Sequence, residues 1–102
     1  MSEIRIADRL SQEELLAGLA EEAAELAQAA LKLRRILTGK NPTPVPYSQA
    51  VEDLNEEIAD VFLSIDQIYC VDDDLIESWY KRKEQRWLDR LAGIIKERES
   101  NG

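Results

Sequence analysis

An all-α fold is predicted by three observations on this sequence of 102 residues. Good helix formers (Leu, Ala, Glu, Lys, Arg and Gln) dominate it. Only four Gly and three Pro interrupt them. Apolar residues recur at steps of three and four, the spacing of one helix face. With 44% apolar and 33% charged residues the chain reads as globular, and its length suits one domain, 1–102. The expected architecture is a set of long antiparallel helices forming a four-helix-bundle-like core. Dimerisation is expected to complete it, because three helices leave apolar stripes that a single chain does not cover.

Residues 1–10 form a leader with some helical pattern in Ile4, Ile6 and Leu10. Ser11-Gln12-Glu13-Glu14 matches a capping box, with Ser11 as N-cap and Glu14 reaching back. Helix one then runs to about Leu37, with an apolar stripe of Leu15, Leu19, Ala23, Leu26, Ala30, Leu33 and Leu37. Arg34 and Arg35 suit its negative end, and Gly39 is the expected C′ residue. Lys40 to Tyr47 carries three prolines at alternate positions, which predicts an extended loop. Ser48 is the expected N-cap of helix two. That helix carries Val51, Leu54, Ile58, Val61, Phe62, Ile65, Ile68 and Tyr69, and is expected to end near Cys70-Val71. Asp72-Asp73-Asp74 opens helix three, expected from about Leu75 to Leu91. Ile76, Trp79, Tyr80, Trp87, Leu88 and Leu91 make its apolar surface, with the Trp pair expected at an interface. Gly93 is a candidate stop or weak point, Ile94 and Ile95 offer an extension beyond it, and 96–102 is expected to be a frayed polar tail.

Composition excludes several function classes. A net charge of −8 argues against binding a nucleic-acid polymer or docking on an anionic membrane. No apolar run approaches the roughly 20 residues of a membrane span, and the N-terminus lacks the layout of a signal peptide. Cys70 is the single cysteine, so no intrachain disulfide forms, and its apolar neighbours predict a buried thiol. A cytoplasmic protein is the expectation. The sequence contains no histidine. That removes Ser-His-Asp and Cys-His nucleophile systems, the usual zinc sites and the Glu-x-x-His pattern of di-iron bundles.

What remains is carboxylate chemistry. Glu21-Glu22-Ala23-Ala24-Glu25 and Glu56-Glu57-Ile58-Ala59-Asp60 each hold an acid-x-x-acid step on a predicted helix. A spacing of three places both acids on one face. Two such helices packed together bring four carboxylates to one place, an oxygen cage for a hard divalent cation. Acids on Glu-rich helices usually face water, so either pair alone says little. Position says more. Glu22 lies in the row Leu15, Glu22, Ala29, Ile36, at the edge of the apolar stripe, with Glu25 just outside it. Glu57 is flanked by Leu54, Ile58 and Val61, and Asp60 by Ala59 and Leu63. Acids half-buried at a helix seam repel one another and resist ionisation unless cations neutralise them.

Taken together, Glu21-Glu22-Ala23-Ala24-Glu25-Leu26-Ala27, the Asn41-Pro42-Thr43-Pro44 loop and Glu56-Glu57-Ile58-Ala59-Asp60-Val61 resemble the all-α nucleoside triphosphate pyrophosphohydrolases of the MazG type. The resemblance covers roughly residues 12–91. It implies metal ligation by Glu22, Glu25, Glu57 and Asp60, with Mg²⁺ as cofactor and Mn²⁺ able to substitute. It also implies hydrolysis of a (deoxy)nucleoside triphosphate to monophosphate and pyrophosphate, as house-cleaning of the nucleotide pool, and assembly as a homodimer or homotetramer. Glu22 and Glu25 are the candidate catalytic acids, with Glu21 and Glu56 as alternatives for orienting the attacking water. Helix three holds a basic concentration, Lys81, Arg82, Lys83, Arg86 and Arg90. Family members often carry a Lys followed four residues later by Asn here; this chain has Lys81 and Gln85, an amide one methylene longer. Lys81, Gln85 and Arg86 are the candidate phosphate-binding residues; the plainer reading is a solvated face with Glu84 and Asp89 as salt partners. The rival to the whole reading is a non-catalytic helical oligomerisation or interaction module with a divalent-metal site.

Overall fold

The computed structural model describes residues 4–40 and 45–101. Among them lie four helices, α1 (Ile6–Arg9), α2 (Gln12–Leu37), α3 (Tyr47–Asp66) and α4 (Asp73–Asn101), and no strand, so the chain is all-α as expected. It divides into two compact units, Met1–Tyr69 and Cys70–Gly102. The Asn41-Pro42-Thr43-Pro44 loop lies outside the described residues.

In the first unit α2 and α3 pack as an antiparallel pair. Gln12, opening α2, bonds the turn after α3. Glu22 and Glu25 meet Glu57 and Asp60 midway. Lys32, toward the end of α2, meets Asp53 toward the start of α3. The capping box forms as its sequence predicts: Ser11 Oγ accepts from Glu14 N at 3.1 Å, and Glu14 Oε2 accepts from Ser11 N at 3.0 Å. Such a cap stabilises a helix start by about 1 kcal/mol. At the other end Gly39 takes φ 71°, a left-handed conformation that only glycine adopts without strain.

The buried face of α2 is rotated from the expected stripe. Leu15 is buried and Leu19, Leu26 and Leu33 are half-buried, but Ala23, Ala30 and Leu37 are exposed. The seven-residue row Leu15, Glu22, Ala29 and Ile36 takes their place in the seam. Ala23, Ala30 and Leu37 repeat every seven residues as well, so the two rows differ in the face they occupy and not in their period. On α3 the matching row is Ala50, Glu57 and Ser64, beside Leu54 and Val61, with Ile68 buried in the turn that follows. Phe62 and Tyr69, expected in the apolar surface of this helix, are exposed.

Helix α3 begins one residue before the expected cap. Pro46 stands at the N-cap position with φ −56°, and its carbonyl accepts from Gln49 N and Ala50 N, leaving Ser48 inside the first turn. The helix also ends earlier than the apolar pattern predicts. Gln67 N and Ile68 N donate to Ser64 O and Ile65 O, tightening the last turn to i→i+3 bonds. The Gln12 side chain then takes over: its Oε1 accepts from Tyr69 N at 2.7 Å and its Nε2 donates to Gln67 O at 3.3 Å. Ile68 is buried in this turn, whereas Cys70, expected to be a buried thiol, is exposed. With the helix over, helical periodicity no longer decides which side chains turn inward.

In the second unit Asp72 caps α4, its Oδ1 accepting from Leu75 N at 3.0 Å. The helix runs on through Gly93 to Asn101, past the expected end at Leu91 and through most of the expected frayed tail. A mid-helix Gly costs about 1 kcal/mol relative to Ala, which a helix of 29 residues absorbs. Trp79, Tyr80, Trp87 and Leu88 on α4 are exposed. Among the described residues no helix is long and apolar enough to cross a membrane.

Candidate metal centre

The antiparallel register of α2 and α3 sets two acid-x-x-acid steps opposite each other. Glu22, Glu25, Glu57 and Asp60 each offer a carboxylate oxygen, and these oxygens all lie within 4.8 Å of one another. Oxygens on opposite sides of one Mg²⁺ stand about 4.2 Å apart, so the group is sized for one hard cation or for two bridged by shared carboxylates. Glu22, Glu57 and Asp60 are half-buried; Glu25, which α2 carries toward the rim, is exposed.

The two central acids are the unusual ones. Glu22 Oε2 and Glu57 Oε2 are both shut off from solvent and have no hydrogen-bond partner among the described residues. A carboxylate oxygen without water or donor is strongly disfavoured when ionised. The Glu22 carboxyl is accordingly held above its ordinary value of 4.5, first by loss of water, then by the charges of Glu25 and Asp60, a hydrogen bond with Glu25 and the charge of Glu21. Glu57 is raised for the same first reason, followed by repulsion from Glu25, Asp60, Glu22 and Glu56. No lysine or arginine forms an ion pair with any of the four among the described residues. A divalent cation would supply what both oxygens lack, and an all-oxygen set is of the kind that suits Mg²⁺ or Mn²⁺.

The structure therefore gathers all four sequence-predicted ligands, and places Glu22 in the middle of the seam instead of at its edge. Glu21 and Glu56 stand beside them and are exposed. Lys81, Gln85 and Arg86 lie on α4 in the second unit, all exposed. Lys81 Nζ pairs with Glu77 at 3.1 Å and Gln85 Nε2 donates to Asp89 at 2.9 Å, so both have partners along their own helix. Arg82 lies over the Trp79 ring at 5.2 Å.

A cavity of about 410 Å³ adjoins the acids, lined by Glu25, Gln28, Ala29, Lys32, Asp53, Glu56 and Glu57. Sequence reasoning passed over Lys32 and Asp53. Their signal was present: Lys32 follows Glu25 by seven residues and Asp53 precedes Asp60 by seven, each on its ligand's own face. Comparison with protein-family models, with curated proteins and with solved structures found no significant match to this chain.

Proposed function

We propose that this chain is a Mg²⁺-dependent nucleoside triphosphate pyrophosphohydrolase of the MazG type, acting on (deoxy)nucleoside triphosphates to trim the nucleotide pool. The observation that carries the reading is the pair of solvent-excluded, unpartnered oxygens, Glu22 Oε2 and Glu57 Oε2, inside a four-carboxylate group. Glu22, Glu25, Glu57 and Asp60 would hold the ions. When bound, Mg²⁺ supplies charge neutralisation and Lewis-acid polarisation of the phosphoryl oxygens. The chain's own part is positioning. Its rigid helix pair holds the acids in register, and one of them, or Glu21 or Glu56 alongside, orients the attacking water and takes its proton. Water attacks at the α-phosphorus, the bond to the β-phosphate oxygen breaks, and monophosphate and pyrophosphate leave. Lys81, Gln85 and Arg86 are proposed to grip phosphate oxygens. The working form is proposed to be a cytoplasmic homodimer or homotetramer that covers exposed side chains such as Phe62 and Trp87.

Those same exposed apolar residues favour one other reading, a non-catalytic oligomerisation module with a structural divalent-metal site. Pyrophosphate release from a panel of ribo- and deoxynucleoside triphosphates, with Mg²⁺ and with chelator, decides between them. Mg²⁺-dependent release of pyrophosphate with a monophosphate supports the hydrolase. No release from any nucleotide at high protein concentration, with Mg²⁺ or Mn²⁺, favours the module.

A further inference from the structure

The cavity beside the acids has a chemistry different from theirs. Glu25 and Glu57 form its inner wall, shared with the metal ligands; Gln28, Lys32, Asp53 and Glu56 form the rest around the small side chain of Ala29. Among the described residues Lys32 is the one cation lining it. Lys32 Nζ stands 3.9 Å from Asp53 Oδ2, too far for a hydrogen bond, so its donors are not consumed by that pair. Asp53 is held from the other side, its Oδ1 accepting from Gln49 Nε2 at 2.9 Å. The rest of the lining thus presents an ammonium loosely paired with Asp53, an anchored carboxylate and a carboxamide: donors and acceptors in one place.

The balance of charge says which part of a nucleotide belongs there. Once cations neutralise the four ligands, the remaining wall carries Lys32 against Asp53 and Glu56, a net negative surface. A polyphosphate tail is repelled by it and belongs on the ions. A neutral group that both gives and takes hydrogen bonds, a base edge or sugar hydroxyls, is accepted. The volume of about 410 Å³ lies within the range of small-molecule sites. Among the described residues no aromatic ring lines it, so selection there would work through hydrogen bonds instead of stacking.

From this we infer that the cavity lined by Gln28, Lys32 and Asp53 takes the nucleoside portion of the substrate, with Lys32 and Asp53 as its specificity-determining residues. The inference rests on the proposed nucleotide reading and names the part of the ligand that reading leaves open. A site built to hydrogen-bond a polar group loses discrimination when that partner is removed, because the ligand's buried polar atoms are then unpaired.

The test is direct binding, by calorimetry with Mn²⁺ present, of non-hydrolysable α,β-imido nucleoside triphosphates carrying different bases, with inorganic tripolyphosphate as the control. Wild type, Lys32→Met and Asp53→Asn are compared after circular dichroism shows equal helicity. The expected result is roughly tenfold weaker binding of the preferred analogue to either variant, a flattened ranking among bases, and tripolyphosphate affinity unchanged within about twofold. Equal losses for analogue and tripolyphosphate would make Lys32 a phosphate grip and overturn the inference. So would an unchanged ranking among bases, or no binding of any analogue by the wild type. Base-ranked binding without pyrophosphate release sinks the hydrolase reading while leaving this assignment in place.

Discussion

The α2–α3 seam and helix α4 are built from the same materials and use them differently. Both carry apolar residues at three- and four-residue steps, and both carry acids between them. On α4 the charged groups keep their water and pair along the helix, as Lys81 does with Glu77 at 3.1 Å and Gln85 with Asp89 at 2.9 Å. Exposed pairs of that kind contribute a few tenths of a kcal/mol. In the seam, Glu22 Oε2 and Glu57 Oε2 are shut off from solvent and have no hydrogen-bond partner among the described residues. A count of acids ranks the two regions alike. What separates them is whether each carboxylate is solvated, paired, or neither, and the third state is the one that a divalent cation would relieve.

The strongest way to break that comparison is to neutralise one seam acid. Glu57→Gln keeps shape and removes charge, so helicity stays intact while Mg²⁺-dependent pyrophosphate release falls by about three orders of magnitude or to background. Near wild-type turnover in this variant would falsify the assigned site. The same substitution on α4, Glu77→Gln, leaves turnover within about twofold.

Metal-linked stability comes next in size. A cation that binds only the folded seam stabilises it by mass action, by about 2.7 kcal/mol when free metal exceeds Kd about a hundredfold. Differential scanning calorimetry with Mg²⁺ or Mn²⁺ should show a midpoint several degrees higher for wild type and no rise for Glu22→Gln. Equal shifts in both proteins would place the metal elsewhere.

The pH profile sharpens the same contrast without any activity assay. Glu22 and Glu57 titrate above the ordinary value of 4.5 when folded, mainly because they have lost water. The folded chain therefore holds their protons after the unfolded chain has released them. Their contribution to stability is full below pH 4.5 and is lost as pH rises through their folded values. In chelator, wild type should thus lose stability with rising pH more steeply than Glu22→Gln. With Mg²⁺ present the slope reverses over that range, since bound cation requires ionised ligands. Parallel profiles for the two proteins in chelator would remove the case for a desolvated Glu22.

How much of this was legible depends on how local each cause is. The Ser11–Glu14 box and the left-handed Gly39 are set within a few residues, and both stand where the pattern puts them. Each acid-x-x-acid step is local too, and the meeting of the two steps needed only an antiparallel pair. The α2 seam lies a fraction of a turn from the expected stripe: Ala23, Ala30 and Leu37 repeat every seven residues, as Glu22, Ala29 and Ile36 do, so periodicity alone does not choose between the two rows. The end of α3 was beyond sequence reasoning. Its last turn tightens at Gln67 and Ile68, and the next N–H, that of Tyr69, goes to Gln12, a polar residue 57 positions away in the sequence. Cys70 lies past that turn, where helical periodicity no longer decides which side chains face inward.

That clamp gives the next prediction. Gln12→Ala removes two hydrogen bonds from the turn that buries Ile68, and a net loss of about 1 kcal/mol is expected in urea unfolding. Amide hydrogen exchange should rise at Tyr69 while the capping box at Ser11 stays protected. An unchanged midpoint would mean that Ile68 packing alone ends α3.

The smallest effect on stability is expected on α4, where it also tells most about that helix. Lys81 and Glu77 are mostly solvated, with side-chain exposures of 73% and 64%, so Lys81→Ala should change unfolding free energy by no more than about 0.5 kcal/mol. A role in gripping phosphate does not depend on that pair. If Lys81 serves the proposed hydrolysis, the same variant raises KM for the nucleotide about tenfold, with the metal-dependent rise in midpoint intact. If KM and stability are both unmoved, Lys81 belongs to a solvated face, and the chemistry of the chain is confined to the seam between α2 and α3. The result separates charge that is merely carried on a helix from charge that is used, which neither the composition of α4 nor its helical pattern distinguishes.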